Sequence, residues 1–245
     1  EASPVLVARP PIVVVMGHID HGKTTLLDAI RKTSVAAKEA GSITQAIGAY
    51  QAEAHGKKIT FIDTPGHEAF SAMRVRGTHV ADIAILVVAA DEGVKPQTEE
   101  ALKTIQAAEL PFIVAINKID KSGADAGRVK NQLAEHSILV EGFGGTVPVV
   151  ELSAKTGAGV ETLLETVLLV AELEELASDP EKPAEGVVIE SHLDPKRGAT
   201  ATLIIEDGTL RRGEFVAAGD AMAPVRIFEN FRGEAVDVAS PAEPV

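Results

Sequence analysis

The run Ile12 to Met16 is unbroken apolar sequence and reads as a buried strand. Helical spacing opens just after it, at Thr25-Leu26-Leu27-Asp28-Ala29-Ile30. Further strand runs stand at Ile59 to Ile62 and Phe112 to Ile116. His55-Gly56-Lys57 is a hairpin cue that joins strands around Gln51 to Ala54 and Lys58 to Ile62. The spacing predicts helices over Pro96 to Ala108, Ala126 to His136 and Val160 to Leu176. The last carries Leu163, Leu164, Val167, Leu168, Ala171 and Leu173, a broad stripe that reads as core packing. Strand and helix signals in alternation predict an α/β fold, a mostly parallel sheet with helices on both faces.

The pattern then changes. Ala177-Ser178-Asp179-Pro180-Glu181-Lys182-Pro183 is a linker by composition. Beyond it Val187 to Glu190, Ala199 to Ile205, Phe215 to Ala218 and Val225 to Phe228 read as strands, with turns at Asp207-Gly208 and Arg212-Gly213. The expected division is a loose leader or interdomain remnant at 1–8, a nucleotide domain at 9–176, a linker at 177–185 and a β domain at 186–245. Ser240 to Val245 reads as an interior turn from which a next strand would begin.

Composition narrows the classes. The 245 residues leave room for a full core and a second module. There are no cysteines, so no disulfide framework and no thiol chemistry. No apolar run reaches the ~20 residues needed to span a bilayer. A net charge of −13 argues against a broad basic surface for nucleic acid, although a local patch stays open. With seven Phe, one Tyr and no Trp, a base-stacking platform is not expected.

Candidate chemistry begins at Gly17-His18-Ile19-Asp20-His21-Gly22-Lys23-Thr24, which fits G-x-x-x-x-G-K-[ST] between a strand and a helix. Glycines let the backbone curl so that successive N–H groups face phosphate oxygens, and the following helix presents its positive end there. Lys23 adds a cation for β- and γ-phosphates. The Thr24 hydroxyl can bind Mg²⁺, and Thr25 belongs to the same phosphate site. Asp63-Thr64-Pro65-Gly66 follows the next strand run. Asp63 would hold Mg²⁺ through a water, and the Gly66 N–H can approach a γ-phosphate. Alone, D-x-x-G is an ordinary turn; its position gives it weight. In Asn117-Lys118-Ile119-Asp120 an ionised Asp120 can only accept hydrogen bonds. Guanine offers two adjacent donors and adenine offers neither there, so this contact rejects adenine and speaks against an ATP-using enzyme. Ser153-Ala154-Lys155 closes the base pocket only because Asn117 to Asp120 precedes it; by itself it is a polar turn. His18 and His21 are spaced like metal ligands but lie within the phosphate loop, where shaping the backbone is the better reading. His55, His79, His136 and His192 show no convergent pattern, and Glu174-Glu175 reads as a solvated helix face.

Taken together these segments resemble the GTP-binding region of the bacterial translation initiation factor two family, among the translational GTPases that include the elongation factors. The likeness extends to Arg9-Pro10-Pro11, to Lys32-Thr33-Ser34-Val35-Ala36, and to Gly41-Ser42-Ile43-Thr44-Gln45-Ala46-Ile47-Gly48-Ala49-Tyr50 as a first switch. It continues through Asp63-Thr64-Pro65-Gly66-His67-Glu68-Ala69-Phe70 as a second switch and Val88-Ala89-Ala90-Asp91-Glu92-Gly93-Val94-Lys95-Pro96-Gln97-Thr98. It runs from Arg9 through Leu176 and, less densely, to Val245. The family usually has Gly at Ser42, His at Ala46 and often Met at Lys95, none of them a phosphate, magnesium or base ligand.

The resemblance implies a P-loop GTPase domain followed by a small, incomplete antiparallel β-barrel. It implies GTP/GDP and Mg²⁺ as ligands, and hydrolysis that is slow without the ribosome. The implied partners are the small and large ribosomal subunits, and the implied location is the cytoplasm. It places initiator tRNA recognition in domains beyond this chain. It gives His67 the task of orienting the attacking water, or of stabilising charge as the phosphoryl group leaves, beside Gly66 and Lys23. Thr44 would join Thr24 and Asp63 at Mg²⁺ in the triphosphate state. Asp20 has two readings, a ligand of a monovalent cation (K⁺ or Na⁺) or a hydrogen bond within the loop. Two alternatives stay open: a guanine-nucleotide-binding interaction module with negligible hydrolysis alone, and the GTPase region of a related elongation-type factor.

Overall fold

A computed structural model describes residues 6–34, 48–63 and 77–245. Its main sheet has six strands in the order β3-β4-β2-β5-β6-β7. These are β2 (Ile12–Gly17), β3 (Gly48–Ala54), β4 (Lys57–Asp63), β5 (Ile83–Ala89), β6 (Phe112–Asn117) and β7 (Val149–Glu151). All neighbours are parallel except the edge pair β3/β4, an antiparallel hairpin. His55 and Gly56 turn that hairpin with φ of 51° and 73°, the left-handed conformations a two-residue turn requires. Among the described residues the strands are joined by α1 (Lys23–Ser34), α2 (Pro96–Ala107), α3 (Ala126–Glu135) and α4 (Val160–Leu173), and residues 77–80 are also helical.

The strands read as continuous apolar runs because both faces are covered. Val13, Val15, Ile83, Ile85, Val87, Ile113 and Ala115 point to one side and pack with Leu26, Leu27 and Ile30 of α1 and Leu163, Leu164 and Val167 of α4. The alternate residues Val14, Met16, Ala84, Leu86, Val88, Val114 and Ile116 pack with Ala101, Leu102 and Ile105 of α2 and Val129 and Leu133 of α3. The expected stripe on α4 is therefore core, except Leu173, which is 76% exposed. Glu174 and Glu175 are exposed, as expected, but they lie past the end of α4 rather than on its face, with Glu174 as its cap and Glu175 at φ 50°. Strands β5 and β7 were not among the expected elements. β5 is a continuous apolar run, and periodicity alone cannot tell such a run from a buried helical segment.

Two expectations need correction. The leader is not wholly loose: β1 (Val7–Ala8) pairs antiparallel with β8 (Ala177–Ser178), so the linker's first residues are zipped to it. The Arg9 N–H extends this pairing by donating to the Leu176 carbonyl at 3.1 Å. The second correction is at Val225 to Phe228, where no strand forms. The tight turn at Gly219 and Asp220 sets the register Ala218↔Ala221, so β12 (Phe215–Ala218) takes β13 (Ala221–Pro224) as its mate. Val225 and Phe228 instead join the small core under the turn.

The remaining β region holds the hairpin β9 (Glu185–Asp194) with β10 (Gly198–Asp207), and the pair β11 (Leu210–Arg211) with β14 (Val238–Ala239). These small antiparallel sheets form a partial barrel. The other edge of β10 is met by the chain's last residues: Val245 and Leu203 exchange N–H···O bonds of 2.7 and 3.0 Å. The β region packs on the sheet through Ile189, Ile204 and Ala242 against Ile12, Ala49 and Ile62. There the Thr60 hydroxyl and the Gln51 amide both donate to the Ala242 carbonyl.

Candidate functional site

In an open parallel sheet the carboxyl ends of the strands, where the chain order reverses, form the natural crevice for a ligand. The chain leaves β2 for the β3/β4 hairpin on one side and later returns to β5 on the other. Four candidate segments stand at those carboxyl ends: the loop after β2, Asp63 closing β4, Asn117 closing β6, and Ser153 just past β7.

The loop after β2 depends on two glycines. Gly17 has φ 135°, and a Cβ there would meet the Val87 carbonyl oxygen at 2.4 Å. Gly22 has φ 85°, and a Cβ there would meet Asn117 Nδ2 at 2.6 Å. The loop therefore lies directly on the ends of β5 and β6. Ile19–His21 makes one 3₁₀ turn, and Gly22 then starts α1 by accepting from the Leu26 N–H. Lys23 is buried, and its ammonium donates back to the carbonyls of Gly17 (2.8 Å) and His18 (2.7 Å). Thr24 and Thr25 are exposed at the start of the helix. Ile19 N–H donates to Gln97 Oε1 at 3.2 Å, a brace from α2 that motif spacing does not reveal.

His21 is fully buried, and its Nδ1 lies 3.2 Å from the Val87 carbonyl. Burial lowers its pKa to about 4, against the opposing hydrogen bond to Val87. The ring is thus neutral, with Nδ1 as donor and Nε2, which has no partner among the described residues, as a buried lone pair. Of the two readings of this residue, shaping the loop is the one this geometry supports. The unfolded chain binds a proton at this ring near pH 6.5, whereas the folded chain resists it until about 4. Its contribution to stability is accordingly complete above pH 6.5 and is lost as pH falls toward 4. Between pH 7 and 5 this predicts a loss of about 2 kcal/mol in the nucleotide-free chain. Urea unfolding at both pH values should show it, and His21→Gln should flatten that part of the profile. An unchanged difference between the two pH values in the variant would exclude His21 as the source.

Asn117 is buried and fully engaged. Its Nδ2 donates to the His21 carbonyl (2.9 Å), and its Oδ1 accepts from the N–H groups of Lys118 (2.8 Å) and Ala154 (2.9 Å). One side chain thereby ties the loop after β2 to the turn after β7. Lys118 adopts φ 65°, and its ammonium reaches Glu92 Oε1 at 3.0 Å. Asp120 is exposed, and its Oδ1 accepts from Ser153 Oγ at 2.7 Å. That hydrogen bond holds the Asp120 carboxyl below the usual range. Ser153 is itself buried and also accepts from the Thr156 N–H. Ala154 is buried beside it, and Lys155 is exposed.

Asp63 sits at the end of β4, where burial raises its carboxyl pKa against the opposing charges of Arg31 and Lys23. A carboxylate disfavoured in this way gains from a cation, so the donor set of Asp63 and the Thr24 hydroxyl fits a hard divalent ion. Asp20 is largely exposed, 3.9 Å from His18 Nε2. Thr44, Gly66 and His67 lie outside the described residues. Among the described residues no helix is long and apolar enough to cross a membrane.

Residues 9–172 match the family described as the elongation factor Tu GTP binding domain, and residues 183–245 match elongation factor G domain 2. Translation initiation factor IF-2 of Rubrobacter xylanophilus is 57% identical over 98% of this chain and 35% of its own length. That of Carboxydothermus hydrogenoformans is 58% identical over 97% of this chain and 29% of its own length. The chain thus spans between 22% and 35% of the length of curated relatives it matches. Among solved structures, GDP-bound aIF5B from Aeropyrum pernix superposes with a TM-score of 0.76 at 34% identity, over 97% of this chain and 51% of that one. Elongation factor SelB of Methanococcus maripaludis, in complex with the GTP analogue GPPNHP, gives 0.75 at 26% identity, over 97% and 51%. The likeness to initiation factor two expected from the motifs is met by these relatives.

Proposed function

We propose, from the premise that this chain belongs to the translational GTPase family of the elongation factor Tu GTP binding domain, that it is the GTP-binding and GTP-hydrolysing switch region of a bacterial initiation factor. The observation that carries the reading is Asn117. It locks the phosphate loop to the turn that bears Ser153 and Ala154, so the phosphate and base sites form one rigid crevice. On this reading residues 9–176 are the nucleotide domain, 177–185 a linker and 186–245 a barrel domain.

Each residue then has a task. The N–H groups from Asp20 to Thr25 cradle the phosphates, and Lys23 leaves its two carbonyl partners for the β- and γ-phosphate oxygens. Asp120, held by Ser153, accepts from the guanine ring, and Ala154 with Lys155 closes over it. Thr24, Thr44 and, through a water, Asp63 would hold Mg²⁺, which neutralises charge on the phosphate oxygens. Asp20, exposed beside the loop, is free to take K⁺ or Na⁺ there. Gly66 donates its N–H to the γ-phosphate, and His67 orients the attacking water. Catalysis of phosphoryl transfer rests on positioning and charge stabilisation, so a partner that fixes His67 would set the rate. The partners proposed are the two ribosomal subunits during their joining, and the location is the cytoplasm.

The test is GTP turnover with and without ribosomes or large subunits. Strong stimulation is expected. His67→Ala should leave GTP affinity near the parent value while lowering stimulated turnover roughly 100-fold or more, since the group acts on the transition state. A variant that hydrolyses at the parent rate on ribosomes would remove His67 from the mechanism. Nucleotide binding with no ribosomal stimulation would favour a binding module.

A further inference from the structure

We propose that His55, Glu161 and Glu165 form a site for a divalent transition-metal ion of the zinc class, separate from the nucleotide crevice. His55 is the first residue of the β3–β4 turn, and Glu161 and Glu165 are one turn apart on the same face of α4. His55 Nε2 lies 2.9 Å from Glu161 Oε1 and 3.4 Å from Glu165 Oε1. All three ligand atoms fall within 4.8 Å of one another.

These separations suit a shared ion. With metal–ligand bonds near 2.1 Å, neighbouring ligands are roughly 3.4 Å apart around a tetrahedral ion and about 3.0 Å around an octahedral one. An ion pair alone accounts for the cluster less well. Nε2 carries at most one hydrogen, so it serves one carboxylate fully, yet two converge on it. Two glutamates at this helical spacing also repel each other. No lysine or arginine on α4 relieves them, because Val160–Leu173 contains none. Lys57, the cation two residues along the turn, is paired with Glu172. One imidazole and two carboxylates suit zinc, cobalt or nickel better than magnesium, which avoids nitrogen. The three side chains are about half exposed, at 48%, 60% and 56%, so an ion enters without rearrangement and keeps open positions for water. Bound there, it would clamp the hairpin turn to the start of α4.

Calorimetric titration of the chain with zinc chloride tests the site, with excess GDP and Mg²⁺ present to occupy the phosphate loop and Asp63. One zinc equivalent is expected, with a Kd below about 100 μM. His55→Asn, whose side chain tolerates the left-handed turn, and Glu161→Gln should each weaken it about 10-fold or more. Cobalt should give a visible absorption band in the parent that both variants lose. Thermal melts check that each variant is folded, and Glu165→Gln replaces one that is not. No zinc binding, or identical isotherms in parent and variants, would overturn the proposal and leave an exposed ion pair only. Because the readout is the zinc isotherm, failure here leaves the nucleotide reading untouched.

Discussion

Lys23→Ala is expected to weaken GDP binding by about 100-fold or more. The ammonium is buried and already held beside the loop by the carbonyls of Gly17 and His18. It is therefore positioned before a phosphate arrives, and little order has to be created on binding. Removing one partner of a buried charge contact costs roughly 2–5 kcal/mol, and each 1.4 kcal/mol is about tenfold in Kd. No second lysine or arginine stands in Gly17 to Thr25 to replace it. Calorimetry with GDP measures the loss. Thermal unfolding of the nucleotide-free variant separates lost binding from lost fold, because the two carbonyls also lose their donor. Affinity within a few-fold of the parent would place the nucleotide elsewhere.

Asp120→Asn should reverse base preference. The carboxylate only accepts, and its low pKa, set first by the Ser153 hydroxyl, keeps it ionised across the working range. A guanine ring presents two donors to it. An asparagine offers one acceptor and one donor pair, which suits xanthine, where a carbonyl replaces the exocyclic amine. Sites that hydrogen-bond a polar group reject the analogue that lacks it by roughly 10⁴-fold, so a swing of about 10³-fold in the GTP to xanthosine triphosphate ratio is expected. Competition among GTP, ATP and xanthosine triphosphate decides it. The parent should exclude ATP; equal binding of ATP and GTP would sink the pocket assignment. Ser153→Ala should give a milder loss of GTP affinity with unchanged base preference, since the Ser153 hydroxyl is engaged with the Asp120 carboxylate.

Much of this site was legible in the chain. The loop motif, the strand before it and the helix after it are contiguous, so local spacing was enough to place Gly17 to Thr25. Asp63 and Asn117 could be placed because each ends a strand run, and in a parallel sheet strand ends share one edge. The short strand pairs were less legible. Val7–Ala8 and Ala177–Ser178 are two residues each, too short for any periodicity, and only their meeting makes them strands. At Val225 to Phe228 the apolar pattern was real, but a two-residue turn upstream had already assigned the partner of β12.

What the sequence by itself determined is the list of parts that act through neighbours along the chain: the phosphate loop, the hairpin turn at His55 and Gly56, and the helices with their core faces. Their chemistry follows from residue type and from a few consecutive backbone angles. Tertiary structure alone decided the contacts that close over long separations. Asn117 reaches back 96 residues to the His21 carbonyl, the Gly17 Cα position is pressed on Val87, and Gln97 braces Ile19 from 78 residues away. It also brought His55 to two glutamates more than a hundred positions later, where the sequence offered no convergent pattern. Such contacts depend on which strands lie side by side and on which face each residue turns. Those are properties of the packed sheet, and no local spacing encodes them.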